Sequence, residues 1–292
     1  MEIDLTGRTA IVTGAGGGLG RAHALALAAH GARIVVNDVG GGAGSVVQEI
    51  ISLGGEAVAD ATDITDPAAV NAMIDTAQEN WGGVDILVNN AGILRDRSFA
   101  KMGMDDFRAV MEVHLMGSVH CTKAVWAGMR ERRYGRIIFT TSSSGLFGNF
   151  GQANYGAAKM ALVGLMQTLR LEGERYDIRV NCLSPSAATR MTDGLYQSED
   201  LSRLHPGLVA PGVVALSSDD APNGAILCAG AGSFEVAKIL LTQGLCLGEH
   251  GSAGAILSSW HSINDHQDAF IPAHGPDQFA HEISRADSRL TS

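Results

Sequence analysis

Apolar and polar positions along the chain alternate between two periods. RTAIVTG (8 to 14) is a short, continuously apolar run that ends in glycine, and LGRAHALALAAHG (19 to 31) carries small and apolar residues at helical spacing. The same exchange repeats: a strand over ARIVVND (32 to 38), a helix to about Leu53, a strand from Glu56 to Asp60, then a helix opening after Asp66 and Pro67. Proline suits a first helical turn, where its missing N–H is not needed, and Asp66 is the expected cap. VDILVNNAG (84 to 92) predicts a strand, Met104 to Arg132 a long helix, YGRIIFTTS (134 to 142) a strand, Asn154 to Glu174 a helix, and IRVNCLSP (178 to 185) a strand. Strands apolar on both faces and separated by helices predict the α/β class, a doubly wound parallel sheet (Rossmann fold) with helices on both faces. Residues 190 to 222 read as loop and short helices, GAILCAGAG (224 to 232) as a last strand, and the chain beyond Gly248 shows no clear period. The expected organisation is one nucleotide-binding domain over residues 1–248, with residues 249–292 as a tail extension of it.

Composition narrows the function. Glycine supplies 37 of 292 residues with only 7 prolines and no triplet repeat, which excludes collagen; 46% hydrophobic and 18% charged content excludes a solvated disordered chain. The excess glycine therefore asks for backbone at positive φ, or for close approach to a ligand. A formal charge of −10 argues against sequence-independent nucleic-acid binding, which needs a basic stripe to displace phosphate counterions. The short basic patch Arg130, Arg132, Arg133 and Arg136 reads as a solvated helix end. Cys121, Cys182, Cys228 and Cys246 form no C-x-x-C pair and read as buried thiols in a reducing compartment. MEIDLTGR lacks the pattern of a signal peptide and no run of 18 strongly apolar residues occurs, so the expectation is no membrane span and a cytoplasmic location.

The glycines cluster where nucleotide chemistry wants them. Thr13-Gly14-Ala15-Gly16-Gly17-Gly18-Leu19-Gly20 lies between the first predicted strand and helix, where glycine lets backbone amides approach a pyrophosphate at the helix N-terminus. Asp38 ends the second strand, 24 residues beyond Gly14. A carboxylate there accepts both adenosine ribose hydroxyls and repels a 2′-phosphate. No Arg or Lys occurs between residues 39 and 49, which favours NAD over NADP; Arg21 and Arg33 are the nearest cations in sequence. Asp63 follows the third strand, in position to touch the adenine edge through its side chain or through the neighbouring backbone at Ile64, with a solvated loop carboxylate as the alternative.

Tyr155 and Lys159 are four apart and share a helix face. A cation beside a phenol favours the phenolate, so the pair can serve as a general acid/base with its own electrostatic tuner, and the lysine can also hold the nicotinamide ribose. Ser142, 13 residues before Tyr155 at the end of a parallel strand, can hydrogen-bond a substrate oxygen.

Together the T-G-x-x-x-G-x-G loop, the NNAG turn (89 to 92) and S-x12-Y-x-x-x-K resemble the short-chain dehydrogenase/reductase family over roughly residues 5 to 235. The resemblance implies a catalytic triad of Ser142, Tyr155 and Lys159, with Asn90 supporting the sheet and cofactor and Ala91 and Gly92 against the adenosine ribose. It also implies a homodimer or homotetramer packed through the helices at 104–132 and 154–174. Two departures stand out. Many members place Asn where this chain reads Val113-His114-Leu115; His114 can hold a water, relay a proton outward, or simply pack. The family's P-G-x-x-x-T is replaced by Pro185-Ser186-Ala187-Ala188-Thr189-Arg190-Met191-Thr192, leaving Thr189 or Thr192 for the nicotinamide carboxamide.

NNAGILRDRSFAKM (89 to 102), VHLMGS (113 to 118) and YGRIIFTTSSSGLFGNFGQANYGAAK (134 to 159) resemble the (3R)-hydroxyacyl-CoA dehydrogenase unit of peroxisomal multifunctional enzymes, a subgroup that includes 17β-hydroxysteroid dehydrogenases and shares the histidine. The implied substrate is a (3R)-hydroxyacyl-CoA or a steroid, against an apolar lining drawn from Leu146, Phe147, Phe150, Met191, Leu195 and Tyr196. Two rivals come from other classes. A catalytically inactive NAD-binding regulator sits poorly with an intact triad. A metal site at His250, His261, His266, His274 and His281, near Asp265 and Asp268, fits no familiar zinc spacing, so no metal is expected.

Overall fold

The structure is a computed structural model that describes residues 3–189 and 201–290. Eight strands form one sheet in the order β3-β2-β1-β4-β5-β6-β7-β8. They are β1 (Thr9–Thr13), β2 (Arg33–Asn37), β3 (Ala57–Asp60), β4 (Ile86–Asn89), β5 (Gly135–Thr140), β6 (Ile178–Ser186), β7 (Ile226–Gly230) and β8 (Ser233–Ala237). Pairings from β3 through β7 are all parallel. The helices α1 (Gly18–Ala29), α2 (Ala43–Ser52), α3 (Pro67–Trp81), α4 (Met104–Met111), α5 (Gly117–Arg132) and α7 (Ala153–Gly173) supply the crossovers. A short α6 (Ser143–Phe147) precedes α7, and α8 (Ala210–Ser217) precedes β7.

The period-two alternation of the strands builds a core on each face of the sheet. Ala10, Val12, Ile34, Val36, Ile86, Val88 and Ile138 join one apolar cluster with Leu27 of α1, Ile50 of α2 and Val213 of α8. Their neighbours Ile11, Val35, Leu87, Ile137 and Phe139 are equally buried and point to the other face. Because β2 and β4 lie on either side of β1, the direction of winding reverses there, and the crevice at the carboxyl ends of these strands is the place where such sheets bind ligands.

Local chemistry accounts for the helix boundaries. Asp66 caps α3 by accepting from the amides of Ala68 and Ala69, with Pro67 in the first turn and Gly82 at φ 83° closing the other end. Four features differ from the pattern reading. The rod from Met104 to Arg132 is interrupted by a π-helical segment at Glu112–Met116, the hydrophobic spacing being insensitive to one extra residue in a turn. The run at 224–232 yields β7 and then turns at Ala231 and Gly232, both at positive φ, into the further strand β8. Residues 143–147 form a helical turn, which Ser142 caps. Arg136 is fully buried rather than part of a solvated patch: its guanidinium donates to the carbonyls of Asp177 and Ser218, and lies 4.2 Å from the centre of the Tyr134 ring. The reading of all four cysteines as buried holds for Cys121 and Cys182 but not for Cys228 and Cys246, which are partly exposed.

Contacts divide the chain into two compact units, Met1–Val236 and Ala237–Ser292. The second contains a bridge between Leu241 and Phe270, and the short helices α9 (Ala253–Ser258), capped by Ser252, and α10 (Trp260–Ile263). Its last helix, α11 (Pro276–Leu290), lays His281 against the Phe270 ring, with centroids 5.0 Å apart. Among the described residues no helix is long and apolar enough to cross a membrane.

Candidate active site

The turn leaving β1 is closed around its glycines. Gly14 has φ 63°, and a Cβ there would stand 2.8 Å from the Cα of Ala91; a Cβ at Gly20 would strike the carbonyl of Gly14 and the Asn90 amide. The chain after β4 is thus held directly against the turn after β1. Hydrogen bonds fix that contact: the Thr13 hydroxyl accepts from the amides of Asn90 (3.0 Å) and Ala91 (3.1 Å), and Asn90 Nδ2 donates to the carbonyl of Thr13 (2.9 Å). Thr13 is a site residue that motif reading passes over, because its position looks like the start of the glycine run rather than a partner for a segment 77 residues away.

Helix α1 begins with Gly17 at its cap, makes no side-chain cap hydrogen bond and has no acid in its first turn, which suits its N-terminus to an anion. Gly18 and Leu19 open that turn, with Thr189 Cγ2 3.3 Å from where a Gly18 Cβ would lie. Asp38, just beyond β2, accepts from the amides of Gly16 (2.8 Å) and Gly40 (2.6 Å), which aims its carboxylate at the glycine turn. Both candidate cations for a 2′-phosphate have acidic partners: Arg21 is paired with Glu49 of α2, and Arg33 lies 3.7 Å from Glu56. These residues fit a dinucleotide. Asp63 is exposed and its carboxylate accepts from the amide and hydroxyl of Thr65, while Ile64 beside it is buried and its carbonyl meets His120 Nδ1 at 3.1 Å. Pro185 lies near the end of β6; Thr192, with Met191, Leu195 and Tyr196, lies outside the described residues.

The catalytic candidates come from three elements. Ser142 follows β5 and caps α6, its Oγ accepting from the amide of Ser144 at 3.2 Å. Tyr155 and Lys159 are one turn apart on α7, with Nζ 5.5 Å from the centre of the phenol ring. Lys159 is buried; its Nζ donates to the carbonyl of Thr140 at 2.6 Å, and burial brings its pKa down to about 7. Cys182 works weakly in the opposite direction, and burial pushes that thiol up to about 12.

His114 stands edge-on to Tyr155, with ring centroids 5.1 Å apart and planes at 86°. The π-helical segment carries it into space left by Gly92, where a Cβ would fall 2.1 Å from His114 Cε1. Its Nε2 meets the carbonyl (2.8 Å) and the amide (3.1 Å) of Ile93, while Nδ1 is buried with no protein partner among the described residues. Burial, reinforced by Lys159, lowers its pKa to about 3, which favours the neutral ring at ordinary pH. Of the proposed lining, Leu146 is half-buried, while Phe147 and Phe150 are 74% and 90% exposed.

The family model described as short chain dehydrogenase matches residues 8–200. A short-chain type dehydrogenase/reductase of Mycobacterium tuberculosis is 46% identical over 270 residues, covering 88% of this chain and 94% of that protein. The peroxisomal multifunctional enzyme type 2 of Drosophila melanogaster is 48% identical over 237 residues, or 77% of this chain but only 39% of that enzyme. Its full-length structure superposes with a TM-score of 0.84 at 36% identity, covering 99% of this chain and 51% of the other. A 7α-hydroxysteroid dehydrogenase complexed with NADH and 7-oxo glycochenodeoxycholic acid superposes with a TM-score of 0.74 at 32% identity, over 80% of this chain and 96% of the other. By sequence as well as by architecture, the chain belongs to the short-chain dehydrogenase/reductase family and is an oxidoreductase.

Proposed function

We propose that this chain is an NAD-dependent dehydrogenase that interconverts a secondary alcohol and a ketone. The foremost substrate is a (3R)-3-hydroxyacyl-CoA, fatty acyl or steroid side chain; a 17β-hydroxysteroid is the second. The observation that carries the reading is the placement of Lys159, a buried amine one helical turn from Tyr155 and at the carboxyl end of β5. In its ammonium form, which a pKa of about 7 leaves populated near neutral pH, Lys159 favours the phenolate of Tyr155, which takes the proton from the substrate hydroxyl. Ser142 Oγ already accepts from an amide, so its own proton is left for the substrate oxygen. His114, as a neutral ring, can join a proton route by exchanging hydrogen bonds, and Nδ1 is the nitrogen without a protein partner among the described residues.

NAD, when bound, supplies the hydride acceptor. Gly14, Gly16, Gly18, Leu19 and Gly20 hold its pyrophosphate, Asp38 the adenosine ribose, and Asp63 and Ile64 the adenine edge. Asn90, Ala91 and Gly92 support it from the β4 side; Pro185 with Thr189 or Thr192 meets the nicotinamide. The acidic partners of Arg21 and Arg33 support NAD over NADP.

The deciding experiment is a comparison of kcat/KM for hydroxyacyl-CoA and estradiol-type substrates, each with NAD and with NADP. NAD and the hydroxyacyl-CoA are expected to give the highest value. Tyr155→Phe lowers kcat by about 10²–10⁴-fold while NAD affinity and Tm hold; turnover near the wild-type rate would overturn the assignment. We further assign a homodimer or homotetramer packed through α5 and α7, where Met160 and Leu171 expose 39% and 41% of their surface. Sedimentation velocity at micromolar concentration is expected to show a dimer or larger species, and a monomer alone would refute it.

A further inference from the structure

The two oxygens assigned to the substrate hydroxyl, on Ser142 and Tyr155, sit on different elements. Between them runs a connection that leaves α6 through turns at Gly148 and Gly151, both at positive φ (82° and 83°), with Phe147 and Phe150 facing solvent. Something must hold its ends together. Gln152, at the N-terminus of α7 and only 6% exposed, is placed to do so. Its Oε1 accepts from the Ser144 hydroxyl at 2.7 Å and from Asn149 Nδ2 at 3.0 Å, and its Nε2 donates to Asp96 Oδ2 at 2.7 Å.

Each of these contacts reaches a different part of the site. Ser144 donates its amide to Ser142 Oγ, so Gln152 is two hydrogen bonds from the serine and three residues from the tyrosine. Asp96 brings in the loop after β4, which is stitched to the same segment twice more: the Arg97 amide donates to Gly151 (2.9 Å), and Asn154 Nδ2 donates to the Arg95 carbonyl (3.0 Å). A carboxamide is the side-chain group with a two-fold acceptor at one end and a donor at the other, and the Asp96 carboxylate dictates which end faces it.

We propose that Gln152 is a positioning residue whose carboxamide, anchored on Asp96, sets the distance between Ser142 and Tyr155. The proposal rests on the assignment of those two residues to the reacting hydroxyl. It predicts a specific charge dependence. Gln152→Glu keeps the shape but replaces the donor with an acceptor, so a carboxylate faces Asp96. That variant is expected to lose at least tenfold in kcat at pH 8, with the KM for NAD and Tm little changed. Asp96→Asn added to Gln152→Glu restores a donor and is expected to recover most of the lost kcat. Independently of turnover, hydrogen exchange of the amides from Ser144 to Gln152 is expected to quicken at least tenfold in Gln152→Glu and to slow again in the double variant.

Wild-type kcat and exchange in Gln152→Glu would overturn the proposal, as would a double variant no better than the single one. If Gln152→Glu does not fold, Gln152→Met reads the same kcat loss and exchange gain; wild-type behaviour there overturns the tie equally. A Tyr155→Phe enzyme that still turns over would sink the assignment of the reacting residues instead, leaving the exchange measurements to judge the tie alone.

Discussion

At the scale of single residues, the site is organised by side chains that are absent as much as by those present. Gly92 makes room for the His114 ring, whose Nε2 in turn holds the backbone of Ile93 beside the nucleotide crevice. Gly92→Ala is therefore expected to displace the ring and destabilise the protein by about 1–3 kcal/mol, the usual effect of forcing a group into packed space. In a His114→Ser background the same alanine should be nearly neutral. Urea unfolding of the four proteins in that cycle checks the coupling, and strictly additive effects would show that the two residues do not share the space. The histidine itself is visible as a departure from the family pattern, but its neutrality is not. That follows from burial, to which residues from three separate segments contribute.

At the scale of elements, local signals were sufficient wherever one turn of chain holds both partners. Asp66 and Pro67 predict the start of α3, and the cap hydrogen bonds are present. Asp66→Ala should cost about 1 kcal/mol, read as a lower midpoint of denaturation with an unchanged slope; an effect within error would mean that water satisfies the amides equally well. Elements whose form depends on distant partners were less legible. The π-helical segment at His114 lies within a hydrophobic pattern that a regular helix satisfies, and β8 exists because β7 offers an edge to pair with. The C-terminal unit lacked a readable period because its short helices expose apolar residues such as Ile256, Leu257 and Trp260 instead of burying one stripe.

At the scale of the whole molecule, burial sets how stability depends on pH. His23 of α1 is fully buried, neither ring nitrogen has a protein partner among the described residues, and burial lowers its pKa to about 3, as for His114. Both folded-state values lie below the ordinary 6.5, so between about pH 6.5 and 3 the unfolded chain binds protons that the folded chain refuses. Stability therefore falls as pH drops through that window. Each histidine adds about 1.4 kcal/mol per pH unit to the slope. Replacing His23 with Leu should flatten the slope by one proton, measured as ΔG of unfolding against pH; an unchanged slope would show that the folded state accommodates the charge.

The sequence by itself determined the alternation of strands and helices, the glycine turn after β1, the acid after β2 and the Tyr155–Lys159 spacing. Each depends on residues within a turn or two of one another, where a period of 2 or 3.6 is enough to place a side chain. Tertiary structure decided what depends on chain segments meeting. It buried Arg136 under Asp177 and Ser218, engaged Arg21 with Glu49 across 28 residues, and joined Gln152 to Asp96 across 56. A side chain's charge, partners and freedom are set by what surrounds it, and those surroundings exist only once the sheet has brought β1, β4 and β5 together.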